Sequence, residues 1–400
     1  MGNERTAGSF DINTKKSWLL IIGVILVSTN LRGPFTSVGA LIPFIRDDLA
    51  ISNALAGSIT TLPLLAFALL SPFAPKIANR IGMEWTITLS LVLLIIGIVI
   101  RSFGEIVFLF TGTFFIGLAI AIGNVLIPGI IKMNFPLKIG LMTGMYAIFM
   151  NLFGALGSGI SVPLASIGNF GWQGALGVWG ILAVISLLIW LPQLTSQRNQ
   201  QASVETEKKS SLWRSPLAWK ITIFMGSQSL IFYTLITWLP DILYANGLNS
   251  NTAGWMLFLM QFSIIPFTFI IPVIAEKMKS QVVLSVATGF LFIIGLSGLL
   301  QGNLTLAPLY VILLGIAGGS AFSLSMMFFT LRTRNGKEAA ELSGMAQSFG
   351  YLLAAVGPVL VGALQDLTAG WTIPLSLLIL ISVIFLIVGM SSGKERQVTD

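Results

Sequence analysis

Twelve stretches of the chain are apolar for long enough to cross a bilayer, and that property leaves few folds open. They run approximately over residues 18–44, 54–74, 85–101, 107–131, 140–164, 172–191, 217–243, 253–274, 282–300, 306–329, 343–364 and 371–390. About 20 consecutive apolar residues make a membrane-spanning helix, and a chain with this many is an all-α membrane protein. Composition agrees: 9% of the residues are charged and the mean hydropathy is +0.91, whereas soluble domains carry about 25% charge. A polar tail over residues 1–16 precedes the first run, and no short charged segment with a small-residue cleavage site is read ahead of it.

Charge placement sets the expected orientation. With both termini in the cytoplasm, all but three of the 22 Lys and Arg lie on the cytoplasmic side. Arg46 and Arg101 fall outside, and Arg32 falls within the membrane. Basic residues concentrate on the cytoplasmic side of membrane proteins, so the net charge of +7 is a topology signal and does not point to nucleic acid. Between the sixth and seventh runs lies one long polar segment, residues 195–214, which reads as a flexible linker. It separates an N-terminal half (1–194) from a C-terminal half (215–400).

The halves repeat. At an offset of 197, Pro43 matches Pro240, Ile45 matches Ile242, Ala56 and Gly57 match Ala253 and Gly254, and Pro75, Ile77, Ala78 and Arg80 match Pro272, Ile274, Ala275 and Lys277. Small shifts bring Gly144 and Met145 onto Gly344 and Met345, and Gly171 and Trp172 onto Gly370 and Trp371. Six spans followed by six in parallel repeat is the plan of a major facilitator transporter, with its substrate site near the midplane between the halves. The expected fold is therefore twelve transmembrane helices in two pseudo-symmetric six-helix halves.

Arg32 breaks the symmetry. It lies about 14 residues into the first run, roughly 21 Å at the helical rise, too deep to reach either headgroup layer easily. A cation there costs about 3 kcal/mol or more. At the offset of 197 it faces Ser229, so the repeat supplies no charged partner. All 15 Asp and Glu fall in tails, loops or span ends, with Asp241 the nearest approach. Arg32 is read as a clamp for an anion or dipole, because a planar guanidinium suits carboxylate-like groups. The alternative is a buried pair or a helix-capping role. The lack of membrane-embedded carboxylates argues against lipophilic cations as substrates and leaves proton coupling without a carrier.

Neutral polar residues within spans form a second tier: Asn30, Asn124, Asn151, Gln228, Gln261 and Gln347, with Tyr146, Tyr233 and Tyr351. Spans one, four, seven and ten are expected to face the cavity, which ranks Asn124 and Gln228 first. Any of these side chains can instead bond helix to helix. Gly33 and Pro34 are expected to interrupt span one, since proline removes a helical hydrogen bond; Pro128 in span four reads as ordinary tolerance of proline. Gly112 with Gly117, and Gly154 with Gly157 and Gly159, read as packing faces. Trp18, Trp85 and Trp172 read as interfacial anchors. The segment 74–82 reads as a cytoplasmic loop whose Lys76 and Arg80, with Lys277 in its second copy, either latch one conformation or only mark topology.

Several segments together resemble the cyanate permease and 2-nitroimidazole transporter branch of the major facilitator superfamily. They are Asn30-Leu31-Arg32 with Ser37-Val38-Gly39, Gly123-Asn124-Val125 through Pro128, Phe135-Pro136, Gly140 through Gly144, Gln228-Ser229-Leu230 with Phe232-Tyr233, Trp238-Leu239-Pro240, and Leu342 through Tyr351. The resemblance covers nearly the whole chain and implies a carrier for small compounds. The loop after span two departs from the superfamily's usual form, with Asn79 where an Asp is usual.

The expected function is secondary transport of a small anionic or polar organic solute across a bacterial plasma membrane. Arg32 is the main charge contact, with Asn124, Asn151, Gln228, Tyr233, Gln347, Asn30 and Tyr351 as polar contacts. The rivals are multidrug or nitroheterocycle efflux and a membrane sensor built on a transporter fold. An enzyme is disfavoured: there is no phosphate-binding glycine loop with Lys, and Cys and His are absent, which removes thiol nucleophiles and His-based metal sites. No cofactor, metal or nucleic acid is expected. The partners are the solute, the lipid bilayer and an unproven coupling proton, and the carrier is expected to be a monomer.

Overall fold

In a computed structural model, residues 15–51, 53–194 and 212–399 are described. The first span is two helices, α1 (Lys15–Asn30) and α2 (Gly33–Leu49), broken at Leu31 and Arg32. Pro34 sits in the first turn of α2 and has no N–H to continue the ladder from α1. The second span is also broken. α3 (Asn53–Leu70) bends by 52° into α4 (Ala74–Ile81), so the stretch 74–82, expected as a loop, is a short amphipathic helix. It buries Ala74, Pro75 and Ala78 and turns Lys76 and Arg80 outward. α5 (Met83–Arg101), α6 (Ile106–Asn134) and α7 (Ile139–Ala165) follow, and α6 runs unbroken through Pro128. The sixth span is α8 (Gly171–Gly177) and α9 (Trp179–Trp190).

The second half comprises α10 (Pro216–Ala245), α11 (Ser250–Lys277), α12 (Val282–Gln301), α13 (Ala307–Leu331), α14 (Gly336–Thr368) and α15 (Thr372–Ser392). Side chains of Ser215, Asn249 and Asn335 accept the first free amides of α10, α11 and α14, which fixes where those helices start. Among the described residues eleven segments are long and apolar enough to span a bilayer, and the bent pair of α3 and α4 supplies a twelfth. The linker expected over 195–214 lies mostly outside the described residues; Leu212–Arg214 form one 3-10 turn with Leu212 buried.

Close packing is made where glycines let backbones approach. Gly112 faces Gly97 and Arg101, and Gly117 faces Pro63 and Ala66. Arg101, expected outside, ends α5 with its side chain fully buried; its Nη1 donates to Pro34 O at 2.8 Å, which ties α5 to the break in span one. Trp18 and Trp85 are exposed as expected of interfacial anchors. Trp172 is buried instead, because its Nε1 donates to Asp48 at 2.8 Å. Beyond the end of α13, Arg332 fastens the C-terminal segment by donating to Ser392 O and Gly393 O, both at 2.9 Å, and to Gln281 Oε1. Burial pulls its pKa down to about 10, opposed by Glu395, so it stays charged at neutral pH.

The two halves meet closely toward one end, the end that carries Lys76, Arg80, Lys132 and Lys277. There a Cβ on Gly129 would lie 2.7 Å from Gly336 O, one on Gly140 2.4 Å from Pro272 O, and one on Gly344 2.6 Å from Ser71 O. Ser348 Oγ donates to Ala68 O at 2.7 Å, and Asn79 donates to Glu341 at 3.4 Å. Apart from the Glu341 carboxylate, the groups in these contacts are neutral. Lys76 sits over the Phe73 ring, and Lys76, Arg80 and Lys277 make no ion pair among the described residues. A side chain at position 344 has nowhere to go but between the halves. Gly344→Leu is expected to force this end apart. Because the chain has no Cys, Ala340→Cys, buried opposite Gly129, reports it directly: shielded from a polar maleimide alone, labelled when combined with Gly344→Leu.

Candidate substrate site

The break in span one presents Arg32 to a cavity between the halves. Removing two residues from regular helix leaves the Arg32 carbonyl to start α2, accepting from Phe35 and Thr36 amides at 3.1 and 2.9 Å. The side chain then leaves the bundle wall. Its stem lies along α7 at Gly154, where a Cβ would come within 2.9 Å of Arg32 Cδ. One turn on, Gly157 packs on Gly33 O, and Thr36 Oγ1 donates to Gly154 O at 2.7 Å. The glycines that read as packing faces thus also clear the channel through which Arg32 reaches the cavity.

The guanidinium meets both halves. Nη1 donates to Asn151 Oδ1 of α7. Its carbon lies 5.5 Å from the centre of the Phe232 ring and 5.9 Å from that of Phe322, within the range of cation–π attraction. Gln228, Ser229 and Tyr233 of α10, Thr268 of α11 and Tyr351 of α14 complete the polar lining, with Met225, Ile264 and Gly318 between them. The cavity has about 370 Å³ of space, part of it open solvent, at the small end for ligand sites. Among the described residues Arg32 is the one cation in its lining, and no carboxylate lines it. Such a site suits a small flat solute: aromatic walls for its faces and a guanidinium fork for paired acceptor oxygens.

Of the residues expected here from sequence, Arg32, Asn151, Gln228, Tyr233 and Tyr351 come together at this cavity. Asn124, Gln347 and Asn30 are not in its lining. Tyr146 Oη donates to Asn124 Oδ1 at 3.0 Å within the first half, and Gln347 Nε2 crosses from the second half to donate to Asn124 O at 2.9 Å. Edge-on contact of Phe67 with Tyr351, at 4.8 Å, bridges the halves as well. Asn30 turns back into its own half and donates to Leu26 O and Ser186 Oγ. Gln261 is exposed. Span four, expected at the cavity, yields that place to α7, α11 and α14, and the Asn124 side-chain oxygen instead accepts from Tyr146 within the wall.

Sequence reasoning missed Phe232, Phe322 and Thr268. Phenylalanine is too common in spans to stand out, and the Thr268 hydroxyl looks like any other that bonds back to its own helix, here to Ile265 O. Only Phe232 carried a signal, through its place beside Gln228 and Tyr233.

Comparison with known proteins follows the geometry. The profile of the Major Facilitator Superfamily matches residues 20–358. The chain belongs to the major facilitator superfamily. Over 386 residues it is 48% identical to the uncharacterized transporter YycB of Bacillus subtilis, covering 96% of this chain and 95% of the relative. It is 39% identical to the 2-nitroimidazole transporter of Escherichia coli over 98% and 99% of the two chains, and 23% identical to the cyanate transport protein CynX of the same organism over 88% and 91%. The proton:xylose symporter XylE, solved with 6-bromo-6-deoxy-D-glucose, superposes with a TM-score of 0.78 at 12% identity over 96% and 98% of the chains, which shows the shared fold. The protein is thus a multi-pass bacterial membrane transporter in the branch that holds the nitroimidazole and cyanate transporters, a group of carriers and not of enzymes.

Within this superfamily site, Gly154 tests the placement of Arg32. Gly154→Val is expected to push the guanidinium off its station and weaken binding of a small anion about ten-fold or more, equal to about 1.4 kcal/mol. Gly159→Val, on the same helix with nothing within 4 Å, is expected to leave binding unchanged. Titration of both purified variants by calorimetry checks this.

Proposed function

We propose that the protein is a secondary transporter that carries a small anionic or polar organic solute, cyanate-like or nitroimidazole-like, across the plasma membrane by alternating access. The observation that carries this reading is Arg32: a cation beside a cavity between the halves, bonded to a neutral Asn151 and flanked by Phe232 and Phe322, with no carboxylate in the lining. Such a charge is balanced when an anion or a strong dipole arrives. Asn151, Gln228, Tyr233 and Tyr351 supply hydrogen bonds around it. Asn124 and Gln347 act beside the site, as part of the contact that parts when the halves rock.

Residues 1–194 and 215–400 are the moving halves, joined by a linker over 195–214, and the working unit is a monomer. With both termini in the cytoplasm, the end closed by Gly129, Gly140, Gly336 and Gly344 is the cytoplasmic one, so the cavity is reached from outside. Lys76, Arg80 and Lys277 mark topology there and tune gating weakly. A second reading, export of neutral nitroheterocycles, is favoured by the aromatic walls and by the 39% identity to a 2-nitroimidazole transporter.

Thermal stabilisation of the purified protein decides between them. A ligand at 100 times its dissociation constant adds about 2.7 kcal/mol. Cyanate, nitrate or 4-hydroxybenzoate is expected to stabilise the wild type, and Arg32→Gln is expected to abolish the effect while remaining folded. Stabilisation by 2-nitroimidazole alone, unchanged in Arg32→Gln, would place the export reading first.

A further inference from the structure

The site holds a charge that nothing in the protein can take over, and this bears on how the carrier returns after delivering its load. The groups that face Arg32 from the packed helices are neutral at physiological pH. α7 offers Asn151 and Gly154, α10 offers Gln228 and Phe232, and α13 offers Phe322. The titratable side chains that line the cavity with it are Tyr233 and Tyr351, and phenols ordinarily keep their proton until near pH 10. The chain has no His or Cys. The carboxylates of the described residues stand at helix ends or in turns: Asp47, Asp48, Glu84, Glu105, Asp241, Glu276, Glu338, Glu341, Asp366 and Glu395. Between pH 5 and 8, then, none of the described residues that line the cavity carries a group that ordinarily titrates.

Alternating access passes through a state in which the cavity is closed at both ends. Arg32 is only half-buried here, which leaves its guanidinium partly open to solvent. Closing over an empty site strips that water from an unpaired guanidinium, and burial of a charge without a partner is strongly unfavourable. A carrier with an internal carboxylate can swing it onto the cation for the empty return. Among the described residues no carboxylate lines this cavity, and the charge that packs at the break in span one is a second cation, Arg101, held by Pro34 O. With a monovalent anion aboard, the site is neutral and closure costs far less.

We infer that this protein is an obligatory exchanger: it swaps one small anion for another, one for one, with no proton in the cycle, and the empty form does not reorient at a useful rate. The inference rests on the anion reading of Arg32 and goes beyond it by naming the coupling. It also fixes the energetics. Exchange of like charges moves no net charge, so the driving force is the gradient of the counter-anion.

Proteoliposomes of the full-length protein test this with [14C]cyanate or [14C]4-hydroxybenzoate, whichever stabilises the purified protein. Efflux into medium holding the same unlabelled anion is expected to exceed efflux into anion-free medium by about ten-fold or more, a factor of ten being about 1.4 kcal/mol of barrier. An inward proton gradient, a protonophore, or a potential set with potassium and valinomycin is expected to leave exchange unchanged. Arg32→Gln is expected to lose exchange. Equal efflux with and without the trans anion, or accumulation driven by a proton gradient, overturns the exchanger while leaving anion transport standing. Lack of Arg32-dependent flux in every mode, with no stabilisation by any anion, overturns both readings. Arg32→Lys keeps the charge on a different donor geometry and is expected to retain trans-stimulation at lower affinity. Trans-stimulation that persists in Arg32→Gln would assign exchange to something other than this charge and overturn the inference.

Discussion

The structure depends on how one guanidinium is held in a place that disfavours it. Arg32 leaves the first span at a break, and the break exists because Gly33 and Pro34 follow it. Trp179 packs on Gly33, Arg101 takes the Pro34 carbonyl, and Gly154 and Gly157 let α7 approach. Each of these serves the same end, which is to carry a charged side chain out of the helix wall into the space between the halves. A regular helix over residues 15–49 would keep Arg32 among its neighbours, with nothing to offset a cost of about 3 kcal/mol or more.

The two halves contribute unequally to the site. The first gives the charge and its bond to Asn151; the second gives most of the remaining lining, aromatic and neutral polar. A ligand held there would touch both halves. The closure at the basic end consists mainly of glycine contacts and hydrogen bonds such as Ser348 to Ala68, Gln347 to Asn124 and Asn79 to Glu341. Contacts of this kind are individually modest, so what holds this end together is spread over a surface.

Much of the fold was legible in the chain, because a bilayer imposes length and apolarity on each span. The break at Gly33 and Pro34 and the depth of Arg32 in the first span were also legible, since proline chemistry and charge placement are local properties. The bend between α3 and α4 was not: a short amphipathic helix and a polar loop look alike over eight residues. Nor was the inward turn of Trp172 and Arg101, whose partners Asp48 and Pro34 are distant in sequence.

Sequence alone determined the membrane class, the repeated six-span plan, and the presence of one unmatched cation deep in the first span. Tertiary structure alone decided which polar residues share the cavity. Asn124 and Asn151 are both amides within spans, and nothing local separates them. Asn124 is satisfied by Tyr146, whereas Asn151 faces Arg32. The physical reason is that hydrophobicity and backbone chemistry act along the chain, while the partner of a buried polar group is chosen by helix rotation and packing, which only the assembled bundle fixes.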